Sequence, residues 1–373
     1  MSVRLIERCN LFEEGRSVIS RLTVHVPKII IGVDTHKEEH VAVVIDKLGA
    51  RVGQLTLPTT KVGYVALECW ARTLGEIEAF GVEGTGSYGA GLARFLKGQG
   101  HTVIEVNRPD RSTRHRLGKS DPTDAEMAAR SVLAGVALDQ PKSGVEEVEM
   151  IRMLKSTKNS AMKGRTQAIN QMKALVVTSP VELREVLSGL TSSQLVVRCS
   201  GWRSGPLDTP TTAAKYALRS LARRYAQLAD EIEKLNKELA RLTVAFAPML
   251  VDLFGIGPDT AADLLVTAGS NPERIKSEAA FAALCGVSPI PSSSGKTNRY
   301  RLNRGGDRRA NAALYRIVII RLRYDIRSRT YLQRRTAEGK TKMEVIRCLK
   351  RYVAREVFGI LHEIGMRHTF QNA

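Results

Sequence analysis

Lys28-Ile-Ile-Ile-Gly-Val-Asp34 is the stretch on which the fold turns. Its apolar run is too short for a helix and has no polar alternation, so it reads as a strand covered on both faces. A second run, His40-Val-Ala-Val-Val-Ile-Asp46, follows within a few residues. Gly49-Ala50 then marks a turn, and Val52 to Leu57 alternates in part. Three short strands joined by tight turns predict an antiparallel meander.

Beyond Pro58 the apolar residues take helical spacing to about Leu74. Glu78 to Glu83 returns to a strand, Ser87 to Gly98 reads as a helix, His101 to Val106 as a strand, and Thr123 to Ala137 as a helix. This mixed α/β order fits an RNase H-like domain over residues 28–145, behind a lead-in (1–27) with no sustained period. Residues 146–178 are helical in composition. Residues 188–210, with three glycines and two prolines, read as a loop-rich connection. Ala214, Leu218, Leu221, Tyr225, Leu228, Ile232, Leu235, Leu239, Leu242 and Phe246 then fall four and three apart in alternation, the 3.5-residue period of a coiled-coil-like helix over 214–246. Such a seam needs a helical partner, either the 146–178 helix or the same element of a second subunit. Residues 146–247 are thus expected as a helical linker. Pro248 closes it, and a mainly helical domain is expected over 248–360, followed by a tail at 361–373. That domain starts with Leu253-Phe-Gly-Ile-Gly-Pro-Asp-Thr-Ala, which suits a helix-hairpin-helix whose turn amides face phosphate, or a plain turn between helices.

Composition narrows the function. The chain has 373 residues, with 57 Lys and Arg against 38 Asp and Glu, a formal charge of +19 that favours a polyanionic partner. From Lys296 to Arg355 there are 19 basic and 4 acidic residues, a net +15. No apolar run is long enough to span a membrane, and the start lacks the apolar core of a signal peptide. Five scattered cysteines without a Cys-x-x-Cys pair exclude a disulfide framework and a zinc finger. They point to free thiols in a reducing cytoplasm, and with the charge to a nucleoid-associated protein. Aromatic residues make up only 5%, which disfavours single-strand stacking as the dominant mode of binding and favours salt-dependent contact with phosphate.

Four carboxylates stand out by position. Asp34 ends the first strand, Glu83 ends the fourth ahead of a glycine-rich run, and Asp121 and Asp124 lie three apart at a helix start that includes Pro122. Gathered together they would repel one another, and a hard divalent cation, Mg²⁺ or Mn²⁺, removes that penalty. Two such ions can activate an attacking oxygen and stabilise a leaving oxygen at phosphorus. Taken singly, each acid also has a structural reading as a cap or an ion-pair partner. His36 is open to an auxiliary or a core role.

Gly32-Val-Asp34, Gly81-Val-Glu83-Gly-Thr-Gly-Ser-Tyr-Gly89 and Lys119-Ser-Asp121-Pro-Thr-Asp124-Ala resemble the RuvC-like domain of insertion sequence 110 family transposases. Phe281-Ala-Ala-Leu-Cys-Gly-Val-Ser-Pro289, Ser292-Ser-Ser-Gly-Lys296 and Asn303-Arg-Gly-Gly-Asp-Arg-Arg-Ala-Asn-Ala-Ala-Leu314 resemble that family's C-terminal transposase domain. The resemblance implies a recombinase of double-stranded DNA, in some members guided by a structured non-coding bridge RNA. It implies a composite centre in which Asp34, Glu83, Asp121 and Asp124 hold metal and Ser294, with Ser293 in reserve, attacks a DNA phosphodiester.

No base neighbours that serine in sequence, so a metal-bound site in the first domain is a plausible activator. Lys296, Arg299, Arg301, Arg304, Arg308 and Arg309 are candidate contacts to phosphate. Ser292 to Lys296 has a bland reading as a polar surface loop. Strand exchange further implies a homodimer assembling to a tetramer on DNA, for which the 214–246 seam offers a means of association. The same acids would equally serve a junction-resolving endonuclease of RuvC type with water as nucleophile. A non-enzymatic nucleic-acid-binding protein is a third reading.

Overall fold

The computed structural model describes residues 26–106, 120–142, 146–203, 205–295 and 300–371. Contacts divide the chain into two compact units, with the boundary between Gly144 and Val145. The first unit is built on β1 (Lys28–Thr35), β2 (Glu39–Asp46), β3 (Arg51–Pro58), β4 (Glu76–Glu83) and β5 (Val103–Val106). They form one sheet in the order β3-β2-β1-β4-β5. β1, β2 and β3 are the antiparallel meander, while β4 and β5 extend the sheet in parallel from β1, an RNase H-like arrangement.

The near-continuous apolar runs of β1 and β2 follow from cover on both faces. Ile29, Ile31 and Val33 pack with Leu67 and Ala71 of α1 (Lys61–Leu74) and Leu92 and Leu96 of α2 (Ala90–Gly98). Ile30 points the other way, into a cluster with Val41, Val43, Ile45 and Ala125 and Ala129 of α3 (Asp121–Leu133). α3 lies almost on the sheet backbone. A Cβ added at Gly32 would stand 1.9 Å from the Ala125 carbonyl oxygen, and one at Gly81, its register partner on β4, 2.7 Å from Val132 Cγ2. Any side chain at Gly32 would lift the helix and the acids it carries.

Two boundaries differ from the expectation. α3 starts at Asp121 because the Ser120 hydroxyl accepts from the Thr123 amide at 3.4 Å, and it stops at Leu133, just ahead of Gly135 at φ 65°. α2 begins only at Ala90, since Gly84 at φ 65° opens a turn that occupies the preceding residues.

The second unit is helical. α4 (Glu146–Thr178) and α7 (Pro210–Phe246) pack along each other, so the seam of α7 finds its partner within the same chain. Gly164 allows the close approach, with Leu228 Cδ1 3.3 Å from where its Cβ would stand. At one end of the pair, α5 (Val181–Leu187) and α6 (Ser192–Ser200) close a small core of Met172, Leu187, Leu195, Cys199 and Leu218. α6 corrects the loop-rich reading of 188–210. Thr191 and Gln194 form a reciprocal capping box, and Leu195, Val196 and Cys199 supply a buried stripe.

At the other end, Ile151 and Leu239 join a core with Leu264, Phe281, Leu314, Ile317 and Val357. That core is built from α8 (Pro248–Val251), α9 (Pro258–Ala268), α10 (Glu278–Leu284), α11 (Arg308–Tyr324) and α13 (Lys342–Gln371), while α12 (Ile326–Ala337) buries Ser328 and half-buries Tyr331, Leu332 and Arg335. A short hairpin of β6 (Ile290–Pro291) and β7 (Tyr300–Arg301) projects between α10 and α11 in the sequence. α13 carries helix through the stretch expected as a tail, as far as Gln371. Among the described residues, no helix is long and apolar enough to cross a membrane.

Candidate active site

The twofold alternation of β1 places Asp34 on the face of Ile30 and Gly32, the face that α3 covers. On β4, Gly81 meets α3 while Phe80 and Val82 face the opposite core, so Glu83 shares the α3 face with Asp34. Glu83 lies one residue past the last register pair of the two strands, Val33 with Val82, and the Thr35 hydroxyl donates to its carbonyl at 2.9 Å. α3 delivers Asp121 and Asp124 in its first turn. Asp34, Glu83 and Asp124 are buried, whereas the Asp121 side chain is 45% exposed.

Asp34, Asp121 and His36 form the tight group, with one ligand atom from each lying within 4.8 Å of the others. His36 Nε2 is 3.2 Å from Asp34 Oδ2 and 3.4 Å from Asp121 Oδ1. Asp124 is felt through its charge, and Glu83 stands outside the three-residue group. Burial raises the Asp34 carboxyl above its usual range. His36 opposes that shift, and the charges of Asp124 and Asp121 push it further up.

Two carboxylate oxygens and an imidazole nitrogen within this span suit a divalent cation, which would also offset the cost of ionising the buried Asp34 carboxyl. His36 is the member for which the sequence left two roles open. Its place follows from the short β1–β2 turn, which returns its ring over the end of β1.

In the second unit Ser292, Ser293 and Ser294 are all exposed, at the tip that leaves β6, and Gly295 follows at φ 55°. The base of this hairpin is fixed by backbone contact. A Cβ on Gly306 would lie 2.2 Å from the Gly286 nitrogen, and Asn311 Nδ2 donates to the carbonyls of Cys285 and Gly286 at 2.9 and 3.0 Å. Asn303 Nδ2 donates to the Ala283 carbonyl at 3.0 Å, and Asp307 caps α11 by accepting from the amides of Arg309 and Ala310. Arg301, Arg304, Arg308 and Arg309 are exposed. Lys296 and Arg299 lie outside the described residues. α12 adds Arg327, Arg329 and Arg334 to the exposed basic surface, positions that the sequence offered only within a bulk charge count.

A second acidic group appears where the sequence allowed a phosphate-facing turn. Asp259, in the first turn of α9, accepts from Lys155 Nζ at 2.8 Å and Lys158 Nζ at 2.5 Å, and Asp263 meets Lys155 at 3.0 Å. Arg316 reaches both acids, at 3.3 and 2.6 Å. Burial would raise the Asp259 carboxyl, but hydrogen bonds from the two lysines and their charges hold it down at about 2. Each of these two acids has its counter-charge from the protein.

Residues 31–179 match a family model described as a transposase, and residues 247–333 match one described as a transposase of the IS116/IS110/IS902 family. An uncharacterized 42 kDa protein of insertion element IS900 from Mycobacterium paratuberculosis is 24% identical, over 90% of this chain and 96% of that protein. An uncharacterized 43.6 kDa protein of insertion element IS110 from Streptomyces coelicolor is 30% identical over a shorter span, 39% of this chain and 36% of that protein.

Proposed function

We propose, for a chain that belongs to the IS116/IS110/IS902 family of transposases, that it cuts and rejoins double-stranded DNA by transesterification through a serine. Phosphoryl-transfer activity goes with the family; the nucleophile, the guide and the assembly are this reading. Asp34, Glu83, Asp121 and Asp124 would hold Mg²⁺ or Mn²⁺, with His36 beside Asp34 and Asp121, and the ion would lower the cost of ionising the attacking hydroxyl and offset charge on the phosphate. Ser294 Oγ loses its proton and forms a bond to phosphorus as the bond from phosphorus to one sugar oxygen breaks, and that oxygen leaves as a hydroxyl. The covalent ester keeps the phosphodiester energy needed to rejoin strands.

The observation that carries the serine is the exposed Ser294-Gly295 tip. It stands on a hairpin whose base is locked by the Gly286–Gly306 contact, in a unit with exposed Arg301, Arg304, Arg308 and Arg309. A rigid base with an open tip suits delivery of a hydroxyl to a phosphate held elsewhere. A composite centre brings acids and serine together on DNA, within a chain or between chains. Association of copies, first to a dimer and then to a tetramer, supplies the centres that strand exchange needs, and with the α7 seam met by α4 it would use another surface. A structured bridge RNA as guide, and a cytoplasmic, nucleoid-associated setting, complete the reading.

The test is a denaturing gel of the full-length chain with the ends of its element and the RNA that co-purifies with it. A protein–DNA adduct that Ser294→Ala abolishes and Ser293→Ala retains is expected. Free phosphate-bearing ends with no adduct would instead support the RuvC-type endonuclease with water as nucleophile, which the acids of the first unit alone would serve.

A further inference from the structure

Next to the carboxylate group lies an open groove of about 660 Å³, within the ~300–1,000 Å³ range of small-molecule sites. Its walls are the β1–β2 turn, the end of β3, and Tyr88 from the glycine-rich loop after β4. The turn is tied down, since the Thr59 amide donates to the Glu38 carbonyl and the Thr59 hydroxyl to that of Lys37, both at 3.0 Å. The groove is therefore preformed. Its lining includes Leu57, only 2% exposed, while Tyr88 is 58% exposed and makes no hydrogen bond or ring contact among the described residues. His36 lines the groove and also touches Asp34 and Asp121, so the two sites share a wall.

We propose that this groove receives one unstacked nucleobase of the DNA strand being cut, held against the ring of Tyr88. A phosphate seated at the carboxylates brings its flanking nucleotides within reach of a site that shares His36. Glu38 and Glu39, which share the rim with the cation Lys37, can accept the N–H groups of a base edge, while Pro58 and the Tyr88 ring offer an apolar surface to a flat one. Enzymes that do chemistry on a base take it out of the stack and hold it between aromatic or apolar side chains, so a protein can meet the cost of unstacking. Holding one base would fix which phosphate meets the acids. The low aromatic content of the chain is compatible with this, because one ring at one position is enough. The proposal rests on the reading that the carboxylates act on DNA.

The probe is a short thymidine oligonucleotide carrying a single 2-aminopurine, titrated with the full-length chain. Its fluorescence should be quenched on binding. Tyr88→Ala should weaken binding about five- to a hundredfold and remove the quench. Tyr88→Phe should retain both, and Thr56→Trp, which fills the groove from the exposed face of β3, should remove the quench. No quench with the unaltered chain, equal quench with Tyr88→Ala, or a Tyr88→Phe loss as large as that of Tyr88→Ala would each overturn the proposal. Asp34→Asn separates the two readings. Cleavage that survives this change, with the quench intact, would remove the catalytic reading and the link to a cut strand. Cleavage lost with the quench intact supports both.

Discussion

Asp34 and Asp259 are both drawn out of water, and their carboxyls move in opposite directions. Around Asp259 and Asp263 the protein supplies Lys155, Lys158 and Arg316, three cations for two acids, and Asp259 is held at about 2. Around Asp34 the neighbours include two more acids and a single imidazole, and the carboxyl rises. Burial raises both carboxyls; around Asp259 the two lysines overturn that rise, and around Asp34 the single imidazole does not. The first arrangement is complete in itself and pins α4, α9 and α11 together. The second has negative charge to spare, the condition in which a cation from solution is bound and put to chemical use.

The largest expected effect comes from removing that surplus. Asp34→Asn should lower DNA cleavage by at least about a hundredfold, the scale on which electrostatic groups at a phosphoryl centre act. The fold should lose nothing, because one of several mutually repelling charges has gone. Melting curves sharpen the contrast. Mg²⁺ at about 100 times its dissociation constant should stabilise the unaltered chain by about 2.7 kcal/mol, and the Asn variant by clearly less. Equal stabilisation of both would show that the ion sits elsewhere.

Asp263→Ala should do the reverse, leaving the metal response unchanged and damaging the fold. Lys155, with a side chain 4% exposed, would keep only Asp259, itself shared with Lys158 and Arg316. Removing one member of a buried ion-pair network costs about 3–5 kcal/mol. In a unit of this size that lowers Tm by roughly 6–20 °C, at about 2–4 °C per kcal/mol. Replacing Lys155 by Met in the same chain should restore part of the loss, since the stranded charge is then removed as well.

The two clusters also differ in how far the sequence disclosed them. Asp34 was legible because an apolar run ended on an acid, and Asp121 because it stands three before Asp124 at a helix start that includes Pro122. These are local patterns, as are the strands of the meander and the seam of α7. His36 was visible as a residue but not as a neighbour of Asp121, since that contact crosses the β1–β2 turn and the seating of α3 on Gly32. Lys155 and Asp259 stand 104 residues apart, and nothing in either local pattern names the other. The seam of α7 called for a helix and left its identity open; α4 fills that place within the chain. α6 was missed although Thr191 to Gln194 carries a capping signature, because surrounding glycines, prolines and serines outweighed it.

Acid titration gives the smallest effect and the most direct test of the opposed carboxyls. Asp259 has a folded value of about 2 against an ordinary 3.8, so its pairing stabilises the fold fully above the ordinary value. That contribution fades as pH falls through about 2, where the folded carboxyl takes up its proton. A shift of this size corresponds to roughly 2.5 kcal/mol if the group were fully enclosed, at about 1.4 kcal/mol per unit. With the side chain 36% exposed, solvent screening brings the expectation nearer to 1 kcal/mol. The pH-dependent part of the loss in Asp259→Asn, a few degrees, should therefore be present at neutral pH and close between about pH 4 and pH 2. Asp34→Asn should show the opposite slope, with its advantage growing as pH rises through the Asp34 titration, because there the unaltered chain meets the cost of a buried charge, and then the repulsion of Asp124 and Asp121, that the variant lacks. Parallel curves for the two variants would mean that burial alone governs both acids.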